Sequence, residues 1–159
     1  MFRIGTGFDV HAFKPGNKVN LCGVEIPFNR SLAGHSDADV ALHALTDAIL
    51  GALALGDIGL HFPDTDSRWK DSNSEIFLTW SIKEAKKRNY EISNIDLTII
   101  CEKPKINSHR ERLILNLSRI CSLDKNRINV KATTTERLGF TGREEGIASM
   151  CSILLNEIS

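Results

Sequence analysis

The run GHSDADVALHALTDAILGALALG, residues 34–56, restricts the fold more than any other part of this chain. Leu42, Leu45, Ile49 and Leu53 recur at spacings of three and four, which makes a helix with one core face. Asp39, His43 and Asp47 lie four apart and share another face. Ser36 is a good N-cap residue, and it puts Asp39 at the third helical position, as in a capping box. Gly56 suits the other end. The stripe of acids and imidazole either faces water or presents a site.

Around this helix the pattern alternates between strand and helix. Residues 2–13, FRIGTGFDVHAF, read as a strand, with Gly5 and Gly7 marking a bulge or a close backbone approach. Asp9 and His11, two apart, then share one strand face. Such a pair is either a hydrogen-bonded couple or two ligands of a metal. KPGNK (14–18) is a turn, 19–27 two short strands about Gly23, and 28–33 a loop. The segment after the helix, rich in Gly, Pro and Asp at 55–59 and 62–66, is either a set of Asx turns or a lid over 60–72 carrying carboxylates, with His61 and Trp69 in it as packing or surface residues.

A helix over 74–88 follows, capped by Ser72 or Ser74, with Ile76, Trp80 and Ile82 as apolar contacts and lysines at its C-terminal end. Next come a strand over 92–101, a break at Lys103-Pro104-Lys105, and a helix over 106–121 with Leu113, Leu117 and Ile120 inward. His109 has no partner at ligand spacing. A strand over 127–132 leads into TTTERLGFTGR (133–143), either a threonine-rich turn or a loop offering hydroxyls and N–H groups to an anion. The strand 145–155 follows. This order implies an α+β fold: one domain over 1–159, a two-layer sandwich with helices on one face of a mixed, mainly antiparallel sheet.

Formal net charge is zero, which argues against a nucleic-acid partner. No apolar run approaches a membrane span, and the start of the chain lacks a signal-peptide pattern. The four cysteines, Cys22, Cys101, Cys121 and Cys151, form no CxxC pair, and the apolar surroundings of Cys22, Cys101 and Cys151 suit buried free thiols, so the compartment expected is a reducing one, the cytoplasm.

One constellation carries chemistry. Asp9, His11 and His43 make a set of one carboxylate and two histidines, the donor set of a zinc site that keeps a position open. Asp39 or Asp47 would hydrogen-bond the second nitrogen of His43. Glu136 and the threonines suit a hard cation and phosphate oxygens.

GFDVHAF (7–13), HSDADVALHALTDAILGALALGDIG (35–59), FPDTD (62–66) and NVKATTTERLGFTGREEGIA (129–148) together resemble the 2-C-methyl-D-erythritol 2,4-cyclodiphosphate synthase family of non-mevalonate isoprenoid biosynthesis. The resemblance implies a lyase-type cyclisation. The 2-phosphate of 4-diphosphocytidyl-2-C-methyl-D-erythritol 2-phosphate attacks the β-phosphorus, CMP leaves, and a cyclic diphosphate remains.

By motif, Asp9, His11 and His43 would bind zinc and Glu136 a magnesium or manganese ion. His35 and Thr134 would be catalytic, His35 with Ser36 holding the attacking phosphate. Asp64 would bind the methylerythritol hydroxyls and Asp57 and Gly59 the ribose, with Val10, Ile58, Phe62, Pro63, Thr65 and Asp66 nearby. Cys101, Glu102, Lys103, Pro104, Lys105, Ile106 and Asn107 would form a cytosine pocket, and Thr133, Thr134 and Thr135 would contact phosphates. The family implies a homotrimer with sites between subunits, and an axial cavity near Phe140, Arg143 and Glu145. Glu144 stands there where glycine is common. A metal-dependent phosphohydrolase is the competing reading, and an inactive binding protein a third.

Overall fold

The computed structural model describes residues 1–158. β1 (Phe2–Pro15) runs the length of the sheet. A hairpin of β2 (Lys18–Leu21) and β3 (Val24–Pro27) turns at Gly23, and β4 (Arg30–Leu32) returns along β1. The helix α1 (Val40–Ala52) is followed by the single turn α2 (Ile58–His61) and by α3 (Glu75–Lys87). Then come β5 (Tyr90–Ile100), α4 (Arg110–Cys121), β6 (Ile128–Thr133), the short α5 (Gly139–Gly142) and β7 (Gly146–Glu157). The main sheet is ordered β4-β1-β7-β5-β6. Only β5 and β6 pair in parallel, so the sheet is mixed and mainly antiparallel, as expected.

The core lies between one sheet face and α1, α3 and α4. Leu42, Leu45 and Ile49 are fully buried there with Leu97, Ile99 and Leu155 of the sheet and Leu113 and Leu117 of α4. The two glycines of β1 make close approach possible. A Cβ at Gly5 would stand 1.8 Å from the Ala48 carbonyl oxygen, and one at Gly7 1.9 Å from that of Ala44. They mark close approach and no bulge, since β1 pairs with β7 in unbroken register from Phe2 to Ala12. Among the described residues no helix lies on the opposite face of the sheet. Phe2, Ile4, Phe8 and Met150 there are 70%, 75%, 56% and 44% exposed.

Three local expectations change. Residues 28–33 contain β4, three residues long and too short to show an alternation. Its Leu32 pairs with Phe13 and is buried. Helix α1 begins at Val40, because Ala38 sits at φ 57° and cannot continue a right-handed helix. Asp39 is therefore the cap and accepts from Leu42 N–H at 3.0 Å, while Ser36 lies outside the helix. The helix ends before Gly56, since Ala54 turns left-handed at φ 57°.

Candidate active site

The alternation of β1 places Gly5, Gly7, Asp9 and His11 on one face, under α1. Where the glycines end, the ligand-bearing residues begin, and they meet the first turn of the helix. His43 is in that turn. His11 Nε2 lies 3.1 Å from His43 Nδ1 and 2.9 Å from Asp9 Oδ2, and His43 Nδ1 lies 3.0 Å from the same oxygen. Ligands held at zinc distances in a tetrahedron stand about 3.3 Å apart, so this triangle is within a few tenths of an ångström of that spacing.

The second nitrogens of the two imidazoles decide what the triangle can hold. His11 Nδ1 donates to the Ala33 carbonyl at 2.7 Å, which leaves a lone pair on Nε2 of the neutral ring. His43 Nε2 lies 2.8 Å from Ser74 Oγ, and the Ser74 hydroxyl itself donates to Asp37 Oδ1. Nε2 is then the donor, and Nδ1 turns its lone pair inward. Two imidazole lone pairs and a carboxylate oxygen converge on one point, which a divalent cation fits. Burial opposes charge on both Asp9 and His11. Hydrogen bonds and charge from His11 and His43 nonetheless hold the Asp9 carboxyl well below the usual carboxylate range. Burial likewise opposes the His11 imidazolium, and Asp9 and the Ala33 carbonyl raise it above its ordinary value.

The expected orienting residues, Asp39 and Asp47, point elsewhere. Asp39 accepts from Cys22, Gly23 and Leu42 N–H, and Asp47 from Ile58 N–H at 2.7 Å. A cavity of about 400 Å³ opens beside the triad, lined by His11, His35, Ser36, His43, Ile58, Gly59, Phe62, Pro63, Asp64, Trp69 and Phe77. Its aromatic wall is built by contact of Phe62 with Phe77 (ring centroids 4.6 Å apart) and Trp69 (5.1 Å).

The YgbB family model matches residues 2–156. The chain belongs to the YgbB family. A 2-C-methyl-D-erythritol 2,4-cyclodiphosphate synthase from Roseobacter denitrificans is 56% identical over 96% of this chain and 96% of its own length. A bifunctional enzyme IspD/IspF from Paracoccus denitrificans is 58% identical, and the 96% of this chain that aligns spans 40% of that protein. Among solved structures, an IspF from Plasmodium falciparum in a CDP complex superposes with a TM-score of 0.88 at 37% identity, covering 99% of this chain and 97% of that one.

In this YgbB-family chain several of the other candidate residues line a second, separate cavity. It measures about 190 Å³ and is lined by Cys101, Glu102, Pro104, Lys105, Ile106, Asn107, Ala132, Thr133 and Thr134. It shares no lining residue with the metal-side cavity. The threonine loop beside it is strained, with Glu136 at φ 53° and Arg137 at φ 65°, conformations that cost on the order of 1–3 kcal/mol each. Thr134 Oγ1 accepts from Glu136 N–H at 3.2 Å and Glu102 Oε1 from Arg137 N–H at 3.1 Å, which hold it.

Other candidates stand apart. Val10 faces the bare side of the sheet, alternate to Asp9 and His11. Asp57 caps α2 through Leu60 N–H, Asp66 pairs with Arg68, and Thr65 lines neither cavity. Phe140 and Arg143 are exposed in and after α5. Arg30 Nη2 donates to Glu144 Oε2 at 3.0 Å. A wider groove of about 850 Å³, lined in part by Asp96, Arg110 and Arg127, contains none of these residues. Sequence reading missed Phe77, Trp69, Ser74 and Asp37. Phe77 and Trp69 were legible only as apolar residues, and Ser74 only as a helix cap.

Proposed function

We propose that this protein, one domain over 1–159, cyclises 4-diphosphocytidyl-2-C-methyl-D-erythritol 2-phosphate to 2-C-methyl-D-erythritol 2,4-cyclodiphosphate with release of CMP. The observation that carries the reading is the convergence of Asp9, His11 and His43, the two histidines lining the cavity that also holds His35, Ser36 and Asp64. Their donor set would hold a divalent metal, zinc by its nitrogen and carboxylate donors, which when bound supplies Lewis-acid polarisation of a phosphoryl oxygen. Glu136 would hold a magnesium or manganese ion.

The reaction joins two anionic groups of one flexible molecule, so the chain's task is to fold the substrate and neutralise charge. His35 and Ser36 bind the attacking phosphate. Asp64 accepts from the methylerythritol hydroxyls. Phe62, Trp69 and Phe77 keep water from that end. The stretch 101–107 takes the cytosine, and Thr133 and Thr134, with Thr134 catalytic, bind the phosphates that leave as CMP. No covalent intermediate on the protein is needed.

The two cavities share no lining residue, which supports a site completed by a second subunit. The bare apolar sheet face supports the homotrimer in which subunits meet there. No helix among the described residues is long and apolar enough to cross a membrane, and four buried free cysteines support a cytoplasmic location.

The test is phosphorus NMR of the protein with this substrate, zinc and magnesium. CMP and a cyclic diphosphate are expected, and inorganic phosphate as the product would replace the reading with a phosphohydrolase. His43→Ala is expected to lose zinc and turnover and stay folded.

A further inference from the structure

Ser74 stands at the start of α3, where a serine ordinarily gives its oxygen to a free N–H of the first turn. It makes no such bond. Asn73 takes over that duty, its Oδ1 accepting from Glu75 N–H at 2.8 Å. The Ser74 hydroxyl, with no exposed surface, is spent on two other partners: His43 Nε2 at 2.8 Å and Asp37 Oδ1. Asp37 is itself held from both sides. It accepts from Ser74 N–H at 3.1 Å and from Asp39 N–H at 3.2 Å, and its own N–H donates to the Ser72 carbonyl at 3.0 Å.

An ionised carboxylate only accepts hydrogen bonds, so the direction of this chain is determined. The Ser74 proton goes to Asp37, and a lone pair of Ser74 receives the proton on His43 Nε2. Ser36 Oγ also lies within reach of that nitrogen, at 3.1 Å, and 3.3 Å from Ser74 Oγ. With the Ser74 proton committed to Asp37, the Ser36 hydroxyl can donate to Ser74 Oγ or turn toward the cavity, whereas Ser74 has no proton to spare.

We propose that Ser74 and Asp37 are positioning residues for the metal centre: the relay Asp37–Ser74–His43 fixes the imidazole tautomer and ring orientation that turn Nδ1 toward Asp9 and His11. This inference rests on the metal reading of the triad. Ligating histidines are tuned in this way by hydrogen bonds to their second nitrogen, and losing such a partner weakens metal binding by about 10–100-fold. The relay also ties the end of the 58–73 segment to a metal ligand, because Ser74 and Ser72 both bond Asp37.

The experiment measures zinc affinity by competition with a chromophoric chelator, and the visible spectrum of the cobalt-substituted protein, in four variants. His43→Ala tests the metal reading itself: if it binds zinc as the parent does, that reading fails, whatever Ser74 does. Ser74→Ala is expected to bind zinc about 10–100-fold more weakly and to change the cobalt bands. Asp37→Asn is expected to move both in the same direction, and it decides the matter if Ser74→Ala does not fold. Asn73→Ala removes the helix cap at the same place and is expected to lower the melting temperature while leaving zinc affinity and cobalt bands unchanged. The proposal is overturned if the folded Ser74 or Asp37 variant keeps zinc affinity within twofold with the parental cobalt spectrum. It is equally overturned if Asn73→Ala weakens zinc as much as they do.

Discussion

Asp39 has no exposed surface, and its carboxylate accepts from Cys22 N–H at 3.0 Å, Gly23 N–H at 2.6 Å and Leu42 N–H at 3.0 Å. Burial raises its pKa, against the pull of those donors. Removing the acceptor strands three donors, two of them in the β2–β3 turn and one at the start of α1. Asp39→Ala is therefore expected to cost about 3 kcal/mol, read from urea unfolding, and a loss under about 1 kcal/mol would contradict this role. Asp9 and His11 give a pH dependence to the metal-free protein. Asp9 titrates below its unfolded value, so its stabilisation is complete above about pH 4 and is lost as pH falls below that. His11 titrates above its unfolded value, so its stabilisation is complete below about pH 6.5 and is lost as pH rises past it. The stability gap between the metal-free parent and Asp9→Asn should peak between those limits and shrink by pH 8.5. A gap that stays constant from pH 5.5 to 8.5 would refute it.

At the scale of elements, the contact of β1 with α1 sets the triangle of Asp9, His11 and His43. The helix can lie on the strand only because Gly5 and Gly7 carry no side chain, and that spacing brings His43 down to Asp9 and His11. Gly5→Ala would put a methyl 1.8 Å from a helix carbonyl, with backbone on both sides and nothing flexible to give. It is expected to destabilise by about 3 kcal/mol or more, as overpacking does when backbone must shift. Gly51→Ala is the matched control. Its Cβ would meet nothing closer than Thr6 O at 3.8 Å, and alanine in a helix gains about 0.5–1 kcal/mol over glycine. Thermal unfolding of the two should therefore move in opposite directions, and equal destabilisation would show that the contact is not what matters. The alternation of β1 and the periodicity of α1 were legible because each is long. The three-residue β4 and the single turns α2 and α5 were not, since no period shows in so few residues.

At the scale of the molecule, the two cavities that hold candidate residues share no lining residue, and among the described residues no helix covers the outer sheet face. If subunits complete one another's sites, damage on the two sides can be separated. His43→Ala and Thr134→Ala should each be inactive alone, yet mixed, unfolded and refolded together they should regain about a quarter of parental activity by random assortment. No recovery in demonstrably mixed oligomers would place both cavities in the service of one subunit's site. Motif residues 35–36, 43 and 62–64 were legible as belonging to one site, and the structure gathers them around one cavity. That 101–107 lies in another could not be read from the chain order, because order along the chain carries no distance.

By itself the sequence determined the layer architecture and singled out Asp9, His11 and His43 as candidate donors. Periods of two and of three to four sort residues onto faces, and Asp-x-His on a strand with His43 on a helix supplies the right chemistry at the right ends. Only the tertiary structure decided how those donors are held. Ser36, the expected cap, lines the cavity within reach of His43 and Ser74, and Asp39 caps α1 because a left-handed Ala38 delays the helix. Ser74, a serine at a helix start, is turned instead to His43 and Asp37. A hydroxyl's choice among competing partners depends on distances across the fold, and those exist only once α1, α3 and β1 have packed.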